Sequence, residues 1–307
     1  MPAAVVPAAA LASTSNQENI PVAEIVDSQD IDEAWQHVGE LDPQHQRYAR
    51  QLIDEMDPAI VEAAREMFSA RAIIFSLLLD QRADVRGHQI ESIRSVCEKP
   101  LLTEAARLWR MMKQLPDAAR LPLLDLTLPA LRSMSKGQYT RFMQIIESLV
   151  RADKQVRLFE WMLFRVLQRH LSPQFQGVRS PVVKYYGLKR LAPQISVLLS
   201  AVAYASAEEE DLKAGRSQAL IQQSISASAK NLAELVAGVQ LRPADQCGLR
   251  EIQASLETLS TAAPRLRGRV VDACAEAVLA DGKVTVQEAE LLRGIADLLD
   301  CPIPPII

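Results

Sequence analysis

Residues 280–288 are Ala-Asp-Gly-Lys-Val-Thr-Val-Gln-Glu, and residues 152–160 are Ala-Asp-Lys-Gln-Val-Arg-Leu-Phe-Glu. Both stretches share the pattern Ala-Asp-x-x-Val-x-x-x-Glu, and each lies between two segments of helical periodicity. They belong to a longer internal repeat, in which residues 121–171 align with residues 249–299 at a constant offset of 128. The repeat predicts two related helical halves that carry the same joint between two helices.

Hydrophobic residues at matching positions support the duplication. Their spacing of seven and three residues places them on one face of a helix, which we expect to pack against the core. The matching pairs are Leu121/Leu249, Leu124/Ile252, Leu128/Leu256 and Leu131/Leu259.

The joint in the second copy has the residues of a tight helix–turn–helix connection. Asp281 and Gly282 permit a sharp reversal, because glycine adopts a positive φ without strain. Val284 can pack between the two helices as a single apolar plug. Thr285 and Glu288 have the spacing of a capping box, which satisfies free N–H groups at a helix start.

The first copy retains only part of this joint. Asp153, Val156 and Glu160 match the second copy, whereas Lys154 and Arg157 replace its glycine and threonine. We therefore expect a less regular turn in the first half.

A calcium-binding loop is the alternative interpretation of the second joint. If Gly282 occupied the glycine position of an EF-hand loop, Asp281 and Glu288 would be its fifth and twelfth residues. Ala277 and Leu279 would then occupy ligand positions, and neither has a side-chain oxygen. Two carboxylates do not supply the roughly six to eight oxygens that Ca²⁺ takes. The pattern therefore favours a structural turn.

The composition favours helices throughout. Glycine supplies 11 of the 307 residues and aromatic residues 5%, and no segment alternates with a period of two. These features exclude an all-β or collagen-like chain and predict an all-α protein, a helical bundle of two related halves. Turn residues at 172–187 separate the halves. We expect a disordered acidic Ala/Pro-rich linker at residues 1–41, a first half at 42–175 and a second half at 176–307.

Charge and hydropathy limit the classes of partner. The net charge is −4, and residues 1–46 hold eight acidic residues but no lysine or arginine. The remaining residues are only mildly basic, so we expect no nucleic-acid partner. The longest apolar run, residues 72–79, is far shorter than the roughly 18 residues that a membrane-spanning helix needs, so we expect no membrane span.

The chain shows no recognisable catalytic or metal-binding motif. It has four histidines without an H-E-x-x-H pattern, and no G-x-S-x-G sequence. No two of its cysteines form a C-x-x-C pair, which favours buried free thiols. These cysteines are Cys97, Cys247, Cys274 and Cys301. We expect neither catalytic residues nor a cofactor-binding or metal site in this chain.

Residues 280–305, ADGKVTVQEAELLRGIADLLDCPIPP, resemble a TerB-like helical module. More narrowly, they resemble the C-terminal region of bacterial HtpX-like zinc metallopeptidases, described as Zn-dependent proteases with chaperone function. Residues 69–80 and 123–132 add to this resemblance, which extends over about residues 42–307. It implies that both halves are TerB-like.

In that family, a peptidase domain with membrane helices and an H-E-x-x-H zinc site precedes this region, and an Ala/Pro-rich linker joins the two. None of the family's catalytic residues has a counterpart here, so zinc is expected only in the peptidase domain. The resemblance implies that the chain is either a fragment of such a peptidase or a stand-alone relative without the protease.

The resemblance implies a non-catalytic helical module for interaction or regulation, attached to a membrane-bound zinc metalloendopeptidase involved in protein quality control. Its partners would be other proteins or the adjacent peptidase domain. Its location would be the cytoplasmic face of the inner membrane if it is tethered, and the cytoplasm otherwise. The alternative function is a free-standing TerB-like adaptor in a stress or envelope response.

Overall fold

The computed structural model describes residues 50–152, 158–177, 181–206, 217–281, 284–301 and 303. In these residues the chain is α-helical, with a single isolated bridge between Tyr185 and Ala262 and no strand. The predicted all-α fold is confirmed, whereas the predicted linker at residues 1–41 lies outside the described residues. The α-helices are α1 (Pro58–Arg65), α2 (Met67–Leu78), α3 (Ala83–Ile93), α4 (Lys99–Met111), α5 (Arg120–Leu131), α6 (Lys136–Ala152), α7 (Leu158–Gln176), α8 (Ala192–Ala205), α9 (Ser217–Leu232), α10 (Leu249–Leu259), α11 (Pro264–Val278) and α12 (Val286–Leu298).

The chain divides into two compact units. The amino-terminal unit comprises Gln46–Val156 and Glu160–Arg179. The carboxy-terminal unit comprises Ser180–Ile307 with the short stretch Arg157–Phe159. Each unit has its own buried core, described separately below.

Helix α2 is the centre of the amino-terminal unit. Every residue from Ala70 to Leu78 is buried, and the helix packs against α4 and α5. Phe75 stacks on Phe142 of α6 with 5.6 Å between the ring centroids. The buried Ser76 Oγ lies 2.8 Å from the Ala72 carbonyl oxygen and 2.9 Å from that of Ala105, so its polarity is satisfied inside the core.

Helix α8 is the central helix of the carboxy-terminal unit, and it packs against α9, α10 and α11. Its two buried serines hold the loop between α9 and α10. Ser196 Oγ accepts a hydrogen bond from the backbone N–H of Gln240 at 3.1 Å, and Ser200 Oγ accepts one from Arg242 at 2.8 Å. Tyr204 Oη donates to the Arg242 carbonyl at 2.9 Å. This loop is therefore fixed by side chains rather than by secondary structure.

Helix boundaries recur at the offset of the sequence repeat. Helices α5, α6 and α7 correspond to α10, α11 and α12, and three of their ends differ by 128 residues. These boundary pairs are Leu131/Leu259, Lys136/Pro264 and Leu158/Val286.

Positions that are 128 residues apart in the two copies are also buried to a similar extent. In the predicted leucine stripe every member is buried except Leu249, which is half-buried. Further pairs that are buried in both copies are Ile146/Cys274, Val150/Val278, Leu163/Leu291 and Leu171/Leu299.

One polar contact also occurs at equivalent positions of the two copies. Tyr139 Oη lies 3.3 Å from Ser172 Oγ in the amino-terminal unit. Their equivalents at the offset of 128 are Arg267 and Asp300, and Arg267 Nη1 donates to Asp300 Oδ2 at 2.8 Å. The two copies therefore join the same two positions, one with hydroxyl groups and the other with an ion pair.

The expected break at Ser172 and Pro173 is wrong, because α7 continues to Gln176 with the proline inside it. A proline removes only one N–H from the helical ladder, and packing can offset that loss. Phe175 stacks on Tyr139 with the ring centroids 4.4 Å apart, which anchors the last turn. The helix stops at Gly177, whose φ of +64° favours glycine.

The buried Gln89 of α3 closes the end of α2. Its Nε2 donates to the Leu78 carbonyl at 2.8 Å, and its Oε1 accepts from the Asp80 N–H at 2.8 Å. Nε2 also lies 3.5 Å from the Leu149 carbonyl of α6. One amide thus connects three segments of the amino-terminal unit.

We expect Gln89→Leu to lower the free energy of unfolding by about 2 kcal/mol, because the substitution leaves a buried carbonyl and a buried N–H without partners. Urea denaturation followed by tryptophan fluorescence measures this loss. Gln81→Leu is the control, since the Gln81 side chain is exposed. An equal effect of the two substitutions would contradict the role assigned to Gln89.

Candidate functional site

The joint between α11 and α12 is the part of the repeat that the sequence singles out. A short 3₁₀ turn, Leu279–Asp281, follows α11, and Val284 is buried at 2% exposure before α12 begins. Gln223 of α9 donates its Nε2 to the Ala280 carbonyl at 2.6 Å, which fixes the turn from outside. Gly282, for which a positive φ was expected, lies outside the described residues.

A capping box begins α12. Thr285 Oγ1 accepts from the Glu288 N–H at 3.3 Å, and the Glu288 Oε2 accepts from the Thr285 N–H at 2.8 Å. The Thr285 hydroxyl also donates to Glu288 Oε2 at 2.9 Å. Glu288 is buried at 7% exposure, so its carboxylate serves the helix start.

Most of the first joint falls outside the described residues. Asp153, Val156 and Arg157 belong to that part of the chain. Glu160 is described, and it lies half-buried in the first turn of α7, where an acidic residue complements the positive end of the helix dipole.

Potential metal ligands are not grouped into a site in the part of the chain that the structure describes. Over the residues that the structure describes, no group of three or more histidine, cysteine, aspartate or glutamate side chains could hold a metal ion. The arrangement at Thr285 and Glu288 accordingly has the chemistry of a helix cap.

The cysteines are free thiols, as the sequence indicated. Cys97, Cys247 and Cys274 are buried, and Cys301 is partly exposed. Burial raises the pKa of Cys97 and of Cys247 to about 11, and that of Cys274 to about 12. These three residues therefore remain protonated at neutral pH and lack the thiolate that a nucleophile or metal ligand requires.

Several buried charges near the end of the chain were not predicted from the sequence. Arg293 Nη1 lies 3.5 Å from Glu290 Oε1 on α12, and both side chains are largely buried. Arg267 is also buried and pairs with Asp300, a non-glycine residue with a φ of +59°. The spacing of three between Glu290 and Arg293 is a local signal for the first pair. The pair of Arg267 and Asp300 spans 33 residues and has no local signal.

Comparison with known protein families identifies one region of similarity. Residues 193–303 match the family model of the tellurite resistance protein TerB. This region runs from the first turn of α8 to beyond α12, and it includes the serine-fixed loop and the capping box. The chain therefore contains a TerB-like helical region.

No match to the chain was found among curated proteins or among solved structures. Within the described residues, every helix is too short or too polar to cross a bilayer.

We expect Thr285→Ala to lower the free energy of unfolding of the carboxy-terminal unit by about 1 kcal/mol, because it removes a helix cap. Thr285→Ser should retain most of the stability, since serine preserves the hydroxyl. Thermal or urea denaturation followed by circular dichroism at 222 nm measures both. Thr258→Ala is the control, because Thr258 is a half-buried residue inside α10 whose hydroxyl donates to the Ala254 carbonyl of its own helix and caps no helix start. Equal stability of the Thr285→Ala variant and the original protein would contradict the cap.

Proposed function

We propose that the chain is a non-catalytic interaction or regulatory module that belongs to an HtpX-like membrane-bound zinc metalloendopeptidase in protein quality control. The TerB-like region at residues 193–303 supports the helical-module part of this proposal. It contains the block at 280–305 whose sequence resembles the C-terminal region of those peptidases. In this proposal the module carries no zinc, and the peptidase supplies the catalytic metal.

An exposed apolar segment next to the TerB-like region is a suitable contact surface. Val182 is 76% exposed and Tyr186 is 82% exposed, both in the extended stretch before α8. Backbone hydrogen bonds hold this stretch to the carboxy-terminal unit, with Lys184 N donating to the Thr261 carbonyl at 2.8 Å and Ala263 N donating to the Tyr185 carbonyl at 2.9 Å. A fixed backbone with outward apolar side chains favours binding of a protein partner.

We expect the full chain to bind the purified peptidase domain of an HtpX-like enzyme from the same genome and to change its rate of substrate cleavage. Calorimetry and a casein-cleavage assay measure the two effects. The double substitution Val182→Ser and Tyr186→Ser should weaken binding by about tenfold.

Lys184→Ser is the matched control, because it changes a polar side chain in the same exposed segment. Absence of binding and of any rate change would overturn the proposal. Chelator-sensitive proteolysis by the chain alone would also overturn it, since the module would then be an enzyme.

A free-standing TerB-like adaptor in a stress or envelope response is the second candidate, and the family match favours it. Deletion of the gene should then increase the sensitivity of the source bacterium to tellurite, and a plasmid copy should restore growth. Growth measured over a tellurite dilution series tests this function. Unchanged sensitivity would contradict the tellurite role, and a second deletion of the peptidase gene shows whether any phenotype depends on that enzyme.

A further inference from the structure

Residues 181–186, the bridged segment, pair with the connection between α10 and α11 in the manner of two parallel strands. A parallel bridge joins Tyr185 to Ala262. The Tyr185 N–H donates to the Thr261 carbonyl at 3.2 Å, and the Tyr185 carbonyl accepts from the Ala263 N–H at 2.9 Å. The connection therefore binds the bridged segment along one edge of its backbone.

The opposite edge of the bridged segment is open. In a trans peptide unit the N–H and the C=O point in opposite directions, and none of the described peptide bonds is cis. Because Tyr185 directs its N–H and its carbonyl at the connection, the Lys184 carbonyl and the Tyr186 N–H point away from it. Neither group forms a hydrogen bond with another described residue. An acceptor and a donor placed in this way are a template for a further extended chain.

Side-chain exposure along the bridged segment alternates with the period of a strand. Val182, Lys184 and Tyr186 are exposed, and Val183 and Tyr185 are half-buried. The outward side therefore carries two apolar side chains beside the open backbone edge. Cross-strand contacts with a neighbouring chain would cover them.

Positive charge accompanies this edge. Arg265 lies in the first turn of α11, two residues after the Ala263 N–H that donates to the bridged segment. None of the exposed cations on or next to the segment pairs with a carboxylate among the described residues. Residues 180–191 contain no acidic residue, so the potential there favours a partner with acidic side chains. These cations are Lys184, Lys189, Arg190 and Arg265.

We propose that the bridged segment binds an extended partner peptide with alternate apolar residues and acidic residues at its ends. One residue of the peptide accepts from the Tyr186 N–H and donates to the Lys184 carbonyl, which adds a strand at the open edge. A helical partner does not supply these groups, because its N–H and C=O groups are paired within the helix. The inference rests on the contact surface proposed above and adds the way in which a partner is bound there.

Titration of the ¹⁵N-labelled full chain with the acetylated and amidated peptide Glu-Val-Thr-Val-Thr-Val-Glu tests the pairing. We expect a saturable shift of the Tyr186 amide signal and slower hydrogen exchange of that amide. The same peptide with N-methyl groups on its five inner residues should bind about tenfold more weakly, because it has lost its backbone donors. Absence of a saturable shift with the first peptide, or equal binding of both, would overturn the proposal.

Substitution of Tyr186 separates the backbone contribution from that of the ring. Tyr186→Ala keeps the N–H, whereas Tyr186→Pro removes it together with the ring. We expect the proline variant to bind the peptide about tenfold more weakly than the alanine variant. Equal binding by the two folded variants would overturn the proposal, and the methylated peptide decides the question if the proline variant is unfolded.

Two further comparisons test the chemistry of the partner. Lysines in place of the two peptide glutamates should weaken binding, and unchanged affinity would overturn the acidic partner. Lys184→Ser should change the affinity only about twofold, since exposed charge pairs contribute little.

The peptide assay contains no peptidase, so its result is separate from that of the proposed function. Peptide binding with no binding of the peptidase domain would support this inference and contradict that function. Self-association of the chain through the bridged segment, seen by analytical ultracentrifugation without peptide binding, would overturn the inference.

Discussion

Each unit depends on burying one helix that is apolar on nearly all sides. Helix α2 and helix α8 are too hydrophobic to lie at a surface, so neighbouring helices must surround them. Dispersion and the hydrophobic effect favour that arrangement, but every polar atom enclosed with the helix then needs a partner. Ser76, Ser196 and Ser200 meet this requirement by contacting backbone groups of adjacent segments. Arg71 of α2 is an exception, because its buried Nε has no hydrogen-bond partner among the described residues.

The features that the sequence predicted are those encoded locally. The helical repeat follows from periodicity, and the capping box of Thr285 and Glu288 follows from a spacing of three residues. Gln89, in contrast, acts on carbonyls 11 and 60 residues away, and nothing in the residues around it indicates that role. The passage of α7 through Pro173 also depends on a distant ring, Tyr139. In both cases tertiary contacts, rather than the neighbouring residues in the sequence, determine the local structure.

The candidate site likewise combines features that the sequence indicated with contacts that it did not. The capping residues Thr285 and Glu288 could be identified from the sequence. Their role is structural, because the Glu288 carboxylate accepts hydrogen bonds from Thr285 at the start of α12. The buried Arg267 pairs with Asp300 across 33 residues, and no local pattern indicates that contact.

The paired contact at the ends of the repeat has an evolutionary consequence. Tyr139 with Ser172 and Arg267 with Asp300 occupy equivalent backbone positions, yet one pair is neutral and the other is charged. Each mixed pair could also form a hydrogen bond, because a tyrosine hydroxyl donates to a carboxylate and a serine hydroxyl accepts from a guanidinium. The two positions can therefore change one at a time while the contact between their segments is kept, so that the same backbone site accepts either a neutral or a charged pair.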